Sequence, residues 1–508
     1  DNGEGYPDFN VGTRPRNQGR HALQELLLNN ERDINNTYGL RMYTDVKIIE
    51  GLNLKVTYGR DTNDGISKDY ENAIIGDAQP DGRFNESRFR RTVENFNQIL
   101  TYNKNFDLHN IDVTLGHESF DRNFSNFDAL GTIETVPGLT VFDNFSNPVS
   151  LGGVITDKRI ESYFSRINYN YDGKYYLSGS VRRDGSSLFS TDYRWGTFYS
   201  IGGSWNIHKE GFMEDVSFID RLKLRSSWGE VGNDQIGGDF YLYQARFGIT
   251  SNATDPAYQL DDLGNPLLQW ETIENFDIAL EFGLFDNLFD GSIEYYRRNS
   301  TDLLFDLPLQ PSIGINVQPN NIADMYNSGF EFSLTTHAID TDDFSWDFTA
   351  LASTLKNEIT SIPDPVITGS KRWAEGVSRF DYFLRRTAGV DPDTGDQLFF
   401  MYEFDENNES IPVLDADGNH ETTNDWRDTE RAYTGDTSIP DLIGSFQNSL
   451  RYKGFTLDFL VTYQLGGKII DYAYAGMMNS SSFGRSQHPD ILNAWRQPGD
   501  ITDVPRPE

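Results

Sequence analysis

The sequence predicts an all-β fold, a large antiparallel β-barrel that crosses a membrane. Three observations lead to this prediction. Apolar and polar residues alternate over many stretches, as in strands with one apolar face. Short turns alternate with long polar loops, an asymmetry typical of outer-membrane barrels. Aromatic residues form 14% of the 508 residues, although only 37% are hydrophobic and the mean hydropathy is −0.57; a barrel with a polar lumen explains this combination.

The alternation is clearest in the stretch 159–205. Two alternating runs meet at Asp172-Gly173, a dipeptide that favours a tight hairpin turn. The third run begins at Trp195 and ends at Trp205, and both tryptophans fall on its apolar face. At about 3.3 Å per residue and a tilt of about 40°, they are separated by roughly 25 Å of height. This is about the height of the apolar band of an outer-membrane barrel, so the two residues are predicted to form an aromatic girdle at the two interfaces.

Similar alternating runs along the whole of the given sequence predict about fourteen strands. Large plugged barrels have roughly 22 strands, so the remaining strands are expected outside the given sequence. Loops at the predicted extracellular side are long and polar, at 62–89, 125–158, 185–194, 233–268, 302–325 and 359–440. The predicted periplasmic turns are short, at 50–51, 172–173, 286–290 and 453–454.

Two regions are predicted along the chain. Residues 1–37 are polar and irregular, with one short helix near 21–28, and are interpreted as an extracellular loop. Residues 38–508 are interpreted as part of the barrel. Because no signal peptide precedes the first strands, we expect the sequence to be a fragment of a longer precursor.

Composition excludes several other classes of function. The formal net charge of −35 argues against nucleic acid as a partner. The absence of cysteine excludes disulfides, thiolate catalysis and cysteine-based metal sites. The seven histidines show no metal-ligand spacing, and no G-x-S-x-G motif occurs. These patterns predict no metal site and no cofactor site, and they leave a Ser-His-Asp arrangement open.

Several motifs carry a family resemblance. They are the Arg-Arg-Asp-Gly-Ser-Ser strand end at 182–187, Trp195-Gly196, and the Leu-Lys-Leu-Arg block at 222–236. With them the chain resembles SusC/RagA-type TonB-dependent transporters, although Asp234 departs from the pattern of the last block. Further similar segments lie at 270–277, 295–304, 327–331, 389–395, 440–446, 466–468 and 495–506.

The resemblance implies active import of a bulky nutrient, an oligosaccharide or a peptide, across the outer membrane of a Gram-negative bacterium. Family members work with a SusD-like surface lipoprotein, and the TonB–ExbB–ExbD complex acts on a plug domain, which would lie outside this sequence. The implied environment is outer-membrane lipid, and nothing catalytic is implied. Two alternatives stay open, a passive porin and a soluble all-β protein that binds or cleaves glycans.

One candidate ligand site lies where a predicted strand leaves the membrane. Arg182, Arg183 and Asp184 could contact a ligand at the mouth of the barrel. Alternatively, they tie neighbouring loops together by ion pairs, and we favour this reading because such networks are common structural uses of charge.

Two acidic segments have oxygen ligands at calcium-like spacing, 415–421 and 391–396. The first lacks the closing glutamate of a calcium-binding loop, since Trp426 occupies that place. A plain turn in a surface loop is the favoured interpretation of 415–421, and more strongly so of 391–396.

The longest loop, 359–440, is the predicted docking surface for a lipoprotein lid. Loops of this length without regular structure are uncommon unless they are functional. Its aromatic residues are the predicted anchors, since aromatic side chains dominate interface energetics; they are Trp373, Phe380, Tyr382 and Phe383.

Overall fold

A computed structural model describes residues 22–235, 240–252, 255–479 and 486–507. In these residues the dominant element is one antiparallel sheet, in which fourteen strands follow one another in chain order and a short fifteenth strand pairs with one of them. The predicted all-β fold and the predicted number of strands are confirmed. No helix in the described part of the chain is long and apolar enough to cross a membrane.

The strands are numbered in chain order. They are β1 Asn30–Ile49, β2 Leu52–Glu71, β3 Arg83–Phe106, β4 His109–Glu134, β5 Phe145–Tyr171, β6 Tyr175–Ser186, β7 Trp195–Asn206, β8 Ile219–Asn233, β9 Arg246–Asn252, β10 Asp255–Asp262, β11 Glu271–Leu284, β12 Phe289–Pro308, β13 Val317–Asp340, β14 Phe344–Ser353, β15 Lys356–Ser361, β16 Val366–Thr368, β17 Lys371–Trp373, β18 Asp381–Leu384, β19 Thr387–Val390, β20 Gln397–Phe400, β21 Tyr402–Phe404, β22 Ser410–Pro412, β23 Thr422–Thr423, β24 Ala432–Thr437, β25 Leu442–Tyr452 and β26 Phe455–Leu465. The α-helices in the described ranges are short, α1 Ala22–Leu28 and α2 Tyr472–Met477.

The main sheet, here called the wall, contains β1–β8, β11–β14, β25 and β26 in that order, and β15 pairs with β13. Its two faces differ as the alternation predicts. On β11, Leu280 and Ile278 are exposed on the apolar face, while Asp277 and Glu281 on the other face form ion pairs with Arg225 of β8. The apolar face is therefore the lipid-facing side, and the polar face lines the lumen.

Several strands are longer than the sequence predicted, which corrects the loop boundaries. The loop predicted at 62–89 shrinks to 72–82, that at 125–158 to 135–144, and that at 302–325 to 309–316. Alternation is visible only where one face meets lipid. Beyond the apolar band both faces of a strand meet water, so the strand continues after its sequence pattern has faded.

The first strand also begins earlier than predicted. β1 starts at Asn30, so residues 30–37 are not irregular. The predicted short helix is present as α1. Residues 1–21 lie outside the described residues, and the assignment of 1–37 to an extracellular loop stays a prediction.

The short turns lie together at one end of the wall. Turns are found at the predicted places around 50–51, 172–173, 285–288 and 453–454. Gly51 shows why one of them needs glycine, because its φ is +80° and a Cβ there would lie 2.3 Å from the carbonyl oxygen of Asn103. The connection 207–218 at the same end holds two short 3₁₀ helices, at 207–209 and 211–213.

The longest connection is folded rather than irregular. Residues 362–441, here called the loop domain, contain a four-stranded sheet of β16, β17, β18 and β24, a three-stranded sheet of β19, β20 and β23, and the hairpin β21–β22. This corrects the prediction of a structureless loop at 359–440. Each strand has six residues or fewer, too few for the alternation to stand out in the sequence.

The sidedness of the barrel can be tested with single cysteines, because the sequence has none. We expect Glu406→Cys, on the loop domain, to react with a membrane-impermeant maleimide on intact cells. Asp342→Cys lies in the turn between β13 and β14 at the opposite end, and should react only after the membrane is permeabilised. The wild-type protein measures background labelling. Labelling of Asp342→Cys in intact cells would invert the predicted topology.

Candidate functional site

The lumen face of the wall is held by a charge network centred on Arg225. Its guanidinium contacts Asp277 at 3.2 Å and Glu281 at 3.0 Å on β11, and Glu294 at 2.6 Å on β12. Lys223 lies 3.6 Å from Glu281. Period-two alternation puts these side chains on one face of three neighbouring strands, so the network ties β8, β11 and β12 together inside the barrel.

A concavity of about 530 Å³ lies next to this network on the lumen face. Its lining is rich in asparagine and serine from β4 to β8, with Arg166 and Arg225 among them. Amide and hydroxyl groups both donate and accept hydrogen bonds. This surface can therefore bind a polar solute without requiring a particular net charge.

Arg182 and Asp184 lie on the lumen face near the end of β6, where they form the ion pairs of the structural alternative. Arg182 Nε donates to Asp184 Oδ1 at 2.8 Å, and its Nη2 donates to Glu118 Oε2 at 3.3 Å. The guanidinium also lies over the ring of Phe164, 5.2 Å from its centroid. A ligand-binding role for these residues stays a prediction.

Arg183 lies on the opposite face of β6 from Arg182 and Asp184, and its role at the barrel mouth stays a prediction. It is paired with Tyr163 of β5 in register, and its guanidinium lies over the ring of Trp195, 5.3 Å from the centroid. Consecutive residues of a strand point to opposite faces. The alternation of β6 therefore already contained the signal, since Arg183 continues the row of Leu177 and Val181.

Trp195 and Trp205 lie on the same outer face at opposite ends of β7. The ring of Trp195 is 6.4 Å from that of Tyr163. The ring of Trp205 is 6.4 Å from that of Tyr175, and its indole N–H donates to Glu210 at 3.0 Å. Amphipathic rings with such polar partners suit the two membrane interfaces, and the girdle itself stays a prediction.

The loop domain has a core built around a buried guanidinium. Arg372 is 1% exposed. It donates to the carbonyl oxygen of Asn408 and lies over three rings, those of Phe383 at 5.3 Å, Phe404 at 5.8 Å and Tyr433 at 5.8 Å. Its Nη1 also pairs with Glu409 Oε2 at 3.4 Å. This carboxylate and the aromatic faces, which attract a desolvated cation, together explain how the charge is accommodated.

A second cation of the loop domain lies on the other face of β17, since consecutive residues of a strand point to opposite faces. Lys371 Nζ is 3.2 Å from the centroid of the Tyr382 ring and 3.2 Å from the hydroxyl oxygen of Ser438. Burial lowers the pKa of Lys371, because desolvation penalises its charged form. Burial likewise raises the pKa of Tyr433.

Two of the predicted lid anchors are buried in the loop domain, Phe383 against Arg372 and Tyr382 against Lys371. Phe383 is fully buried and Tyr382 is 8% exposed, so both side chains lie in the interior of the loop domain in this conformation, and their role as anchors stays a prediction. Trp373 and Phe380 are half-buried on either side of Arg379, 5.2 and 5.4 Å from its guanidinium, and their role stays a prediction. Aromatic residues of the loop domain are used in its own interior, because the burial of side chains must offset the conformational entropy that is lost on folding.

The apolar residues that the loop domain does expose were not singled out from the sequence. Trp426 is 55% exposed with Arg385 stacked 4.8 Å from its ring, and Leu414 is also 55% exposed. Ile367 and Ile411 are exposed as well. Exposed apolar side chains of this kind are the better candidates for contact with a partner.

Both acidic segments form turns. The carboxylate of Asp415 accepts hydrogen bonds from the backbone N–H groups of Asp417 at 2.9 Å and Asn419 at 2.8 Å. These bonds lower the pKa of Asp415. The carboxylate of Asp391 accepts from the N–H of Asp393 at 2.8 Å. Among the described residues, no group of three or more His, Asp or Glu side chains is placed to hold a metal ion.

Comparison with known proteins gives the family. The family model described as "TonB dependent receptor-like, beta-barrel" matches residues 1–480. TonB-dependent receptor P3 of Formosa agariphila is 29% identical over 500 residues, which cover 93% of this chain and 48% of the relative. TonB-dependent receptor SusC of Bacteroides thetaiotaomicron is 29% identical over 351 residues, which cover 64% of this chain and 33% of the relative.

The fold has a close counterpart among solved structures. The structure described as "Structure of the RagAB peptide transporter" matches with a TM-score of 0.86 at 24% identity, covering 94% of this chain and 53% of that chain. The chain thus spans about half the length of the relatives that it matches. The resemblance to SusC/RagA-type transporters is confirmed, and the chain belongs to the TonB-dependent receptor-like β-barrel family.

Proposed function

We propose that this chain is part of a TonB-dependent importer in the outer membrane of a Gram-negative bacterium. The importer takes up a bulky nutrient, an oligosaccharide or a peptide. A SusD-like surface lipoprotein covers the loop domain, and the TonB–ExbB–ExbD complex drives transport through a plug domain. The chain itself supplies the wall, the lumen surface and the docking loops.

One observation supports this proposal most directly. Within the described residues, the wall has a lumen face lined with amide and hydroxyl groups, and its longest connection is a folded domain that exposes apolar residues. The lumen suits peptide or sugar groups, since both present many hydrogen-bond donors and acceptors. The related RagAB structure is described as a peptide transporter, and SusC is described as a TonB-dependent receptor.

The lid can be tested by photo-crosslinking in native membranes. We expect a crosslinking amino acid at Trp426 of the full-length protein to capture a surface lipoprotein, because this exposed ring can enter an interface. A stable complex would bury well over about 1,000 Å². The matched control is Asp342 at the opposite end, which should capture no such protein. The proposal of a lidded importer is contradicted if crosslinkers at Trp426 and at Leu414 both capture no protein and the barrel is purified without a partner.

Energy coupling separates an importer from a passive porin. Uptake of the nutrient should stop in cells that lack TonB, whereas a porin would be unaffected. A plugged barrel should also conduct no ions in a planar bilayer. Uptake that persists without TonB, together with steady ion conductance by the full-length protein, would favour the porin.

A further inference from the structure

The outer face of β2–β6 changes character between two adjacent cross-strand rows. In the first, here called the apolar row, the paired residues are Leu54, Leu100, Leu115, Ser165 and Val181. Four of the five side chains are aliphatic, as expected for a surface that meets hydrocarbon. Ser165 is the smallest and lies between Leu115 and Val181.

The next row toward the loop-domain end, here called the polar row, contains Val56, Gln98, His117, Tyr163 and Arg183. Val56 is apolar, and each of the other four side chains can donate a hydrogen bond. Two residues along a strand span about 7 Å. The wall therefore passes from an apolar to a hydrogen-bonding surface over the distance that separates acyl chains from headgroups.

A groove joins the two rows. It has a volume of about 550 Å³, and Leu115, Val181 and Arg183 are among the residues that line it. Leu115 is 48% exposed and Val181 38% exposed, so both side chains stand clear of the backbone on either side of the small Ser165. The groove therefore has aliphatic sides and ends at the guanidinium of Arg183.

Arg183 has no charged partner among the described residues. Its guanidinium lies over Trp195, while Arg182, its neighbour on the other face, has two carboxylates. The acid nearest in register on the outer face, Glu161, is hydrogen-bonded to His117. A cation on the lipid-facing side of a barrel is unfavourable unless it lies near the interface and finds an anion.

We propose that the groove and Arg183 form a binding site for a phosphate-bearing anionic membrane lipid. The phosphate lies on Arg183, whose planar guanidinium can bind it through two hydrogen bonds. Tyr163 and Gln98 are placed in the same row to donate to other headgroup oxygens. One acyl chain lies over Ser165 between Leu115 and Val181.

The site is independent of the nutrient and the lid, so it can be tested separately from the proposed function. Native mass spectrometry of the full-length protein would follow binding of phosphatidylglycerol, with phosphatidylcholine as the zwitterionic comparison. Arg183→Gln should weaken phosphatidylglycerol binding roughly five- to tenfold, the effect of about one charged contact near a membrane surface. Arg159→Gln is the matched control, because this outer-face arginine is already paired with Asp121 at 2.6 Å, and its binding should equal that of the wild type.

A second variant tests the groove. Ser165→Phe fills it and leaves Arg183 in place, so it should also weaken phosphatidylglycerol binding. A parallel titration with lipid A identifies the source of the phosphate, and tighter binding of either anionic lipid supports the site. The proposal is overturned if Arg183→Gln binds like the wild type, if phosphatidylcholine binds as tightly as phosphatidylglycerol, or if inorganic phosphate displaces the lipid at equal concentration.

Discussion

Replacing Leu280 with arginine is expected to lower the free energy of unfolding of the barrel by about 2–4 kcal/mol, the cost of a guanidinium near the bilayer midplane. Leu280 is 37% exposed on the outer face of β11. It lies in one cross-strand row with Ile293 and Phe332. The arginine would therefore meet hydrocarbon on every side. Urea titration of the full-length protein folded into liposomes measures the effect.

Ser333→Arg is the matched control for this prediction. Ser333 follows Phe332 on β13, so it lies at nearly the same depth but on the lumen face, paired with Ser292. There the new guanidinium meets water and the lumen-facing carboxylate of Glu331, and little stability should be lost. Equal destabilisation by Leu280→Arg and Ser333→Arg would show that the two faces are assigned wrongly. Glu281 also lies on the lumen face, but Glu281→Lys is not a useful control. The new lysine would lie against the positively charged side chains of Arg225 and Lys223.

Arg372→Ala is expected to destabilise the loop domain by about 2–5 kcal/mol, the range for removing a large buried side chain. The substitution leaves a cavity between Phe383, Phe404 and Tyr433 and removes the donor to the carbonyl oxygen of Asn408. The wall does not depend on this core. Hydrogen exchange should therefore accelerate in the loop domain of the full-length protein while β11–β14 keep their protection.

Arg427→Ala provides the comparison for this second prediction. Arg427 lies in the same domain and pairs with Asp425 at 2.6 Å, but its side chain is 72% exposed. The neighbouring guanidinium lowers the pKa of Asp425 to about 2. An exposed pair of this kind contributes little to stability, so exchange should hardly change. Arg372→Ala with unchanged exchange in the loop domain would show that the buried guanidinium is dispensable.

Much of the wall could be predicted from the sequence. The alternation on β11 places Leu280 and Glu281 on opposite faces, and the hairpin turn at Asp172-Gly173 lies where the dipeptide indicates. These features depend on neighbouring residues and on the two solvents, lipid and water, that the strands separate. The ends of the strands were harder to predict, because both faces of a strand meet water beyond the apolar band and the alternation of apolar and polar residues disappears there.

The candidate site was predicted less well. The charged strand end was recognised, but Arg182 and Arg183 were treated as one site although they lie on opposite faces. In the loop domain, Tyr382 and Phe383 looked like surface anchors because an unpartnered aromatic in a polar loop has no visible core around it. Phe383 packs against Arg372 and Tyr433, and Tyr382 packs against Lys371. None of these contacts gives a periodic signal in the sequence.

The sequence by itself determined the class of fold, the approximate number of strands and which residues of each membrane-crossing segment face lipid. These properties are local, because a period of two and a tight turn can be read within about ten residues. Only the tertiary structure decided that the loop domain is folded, that Arg225 joins three strands, and that Arg183 lies at the end of a groove. Each of these depends on which strands are neighbours and in what register, and register brings together residues that are distant in the chain.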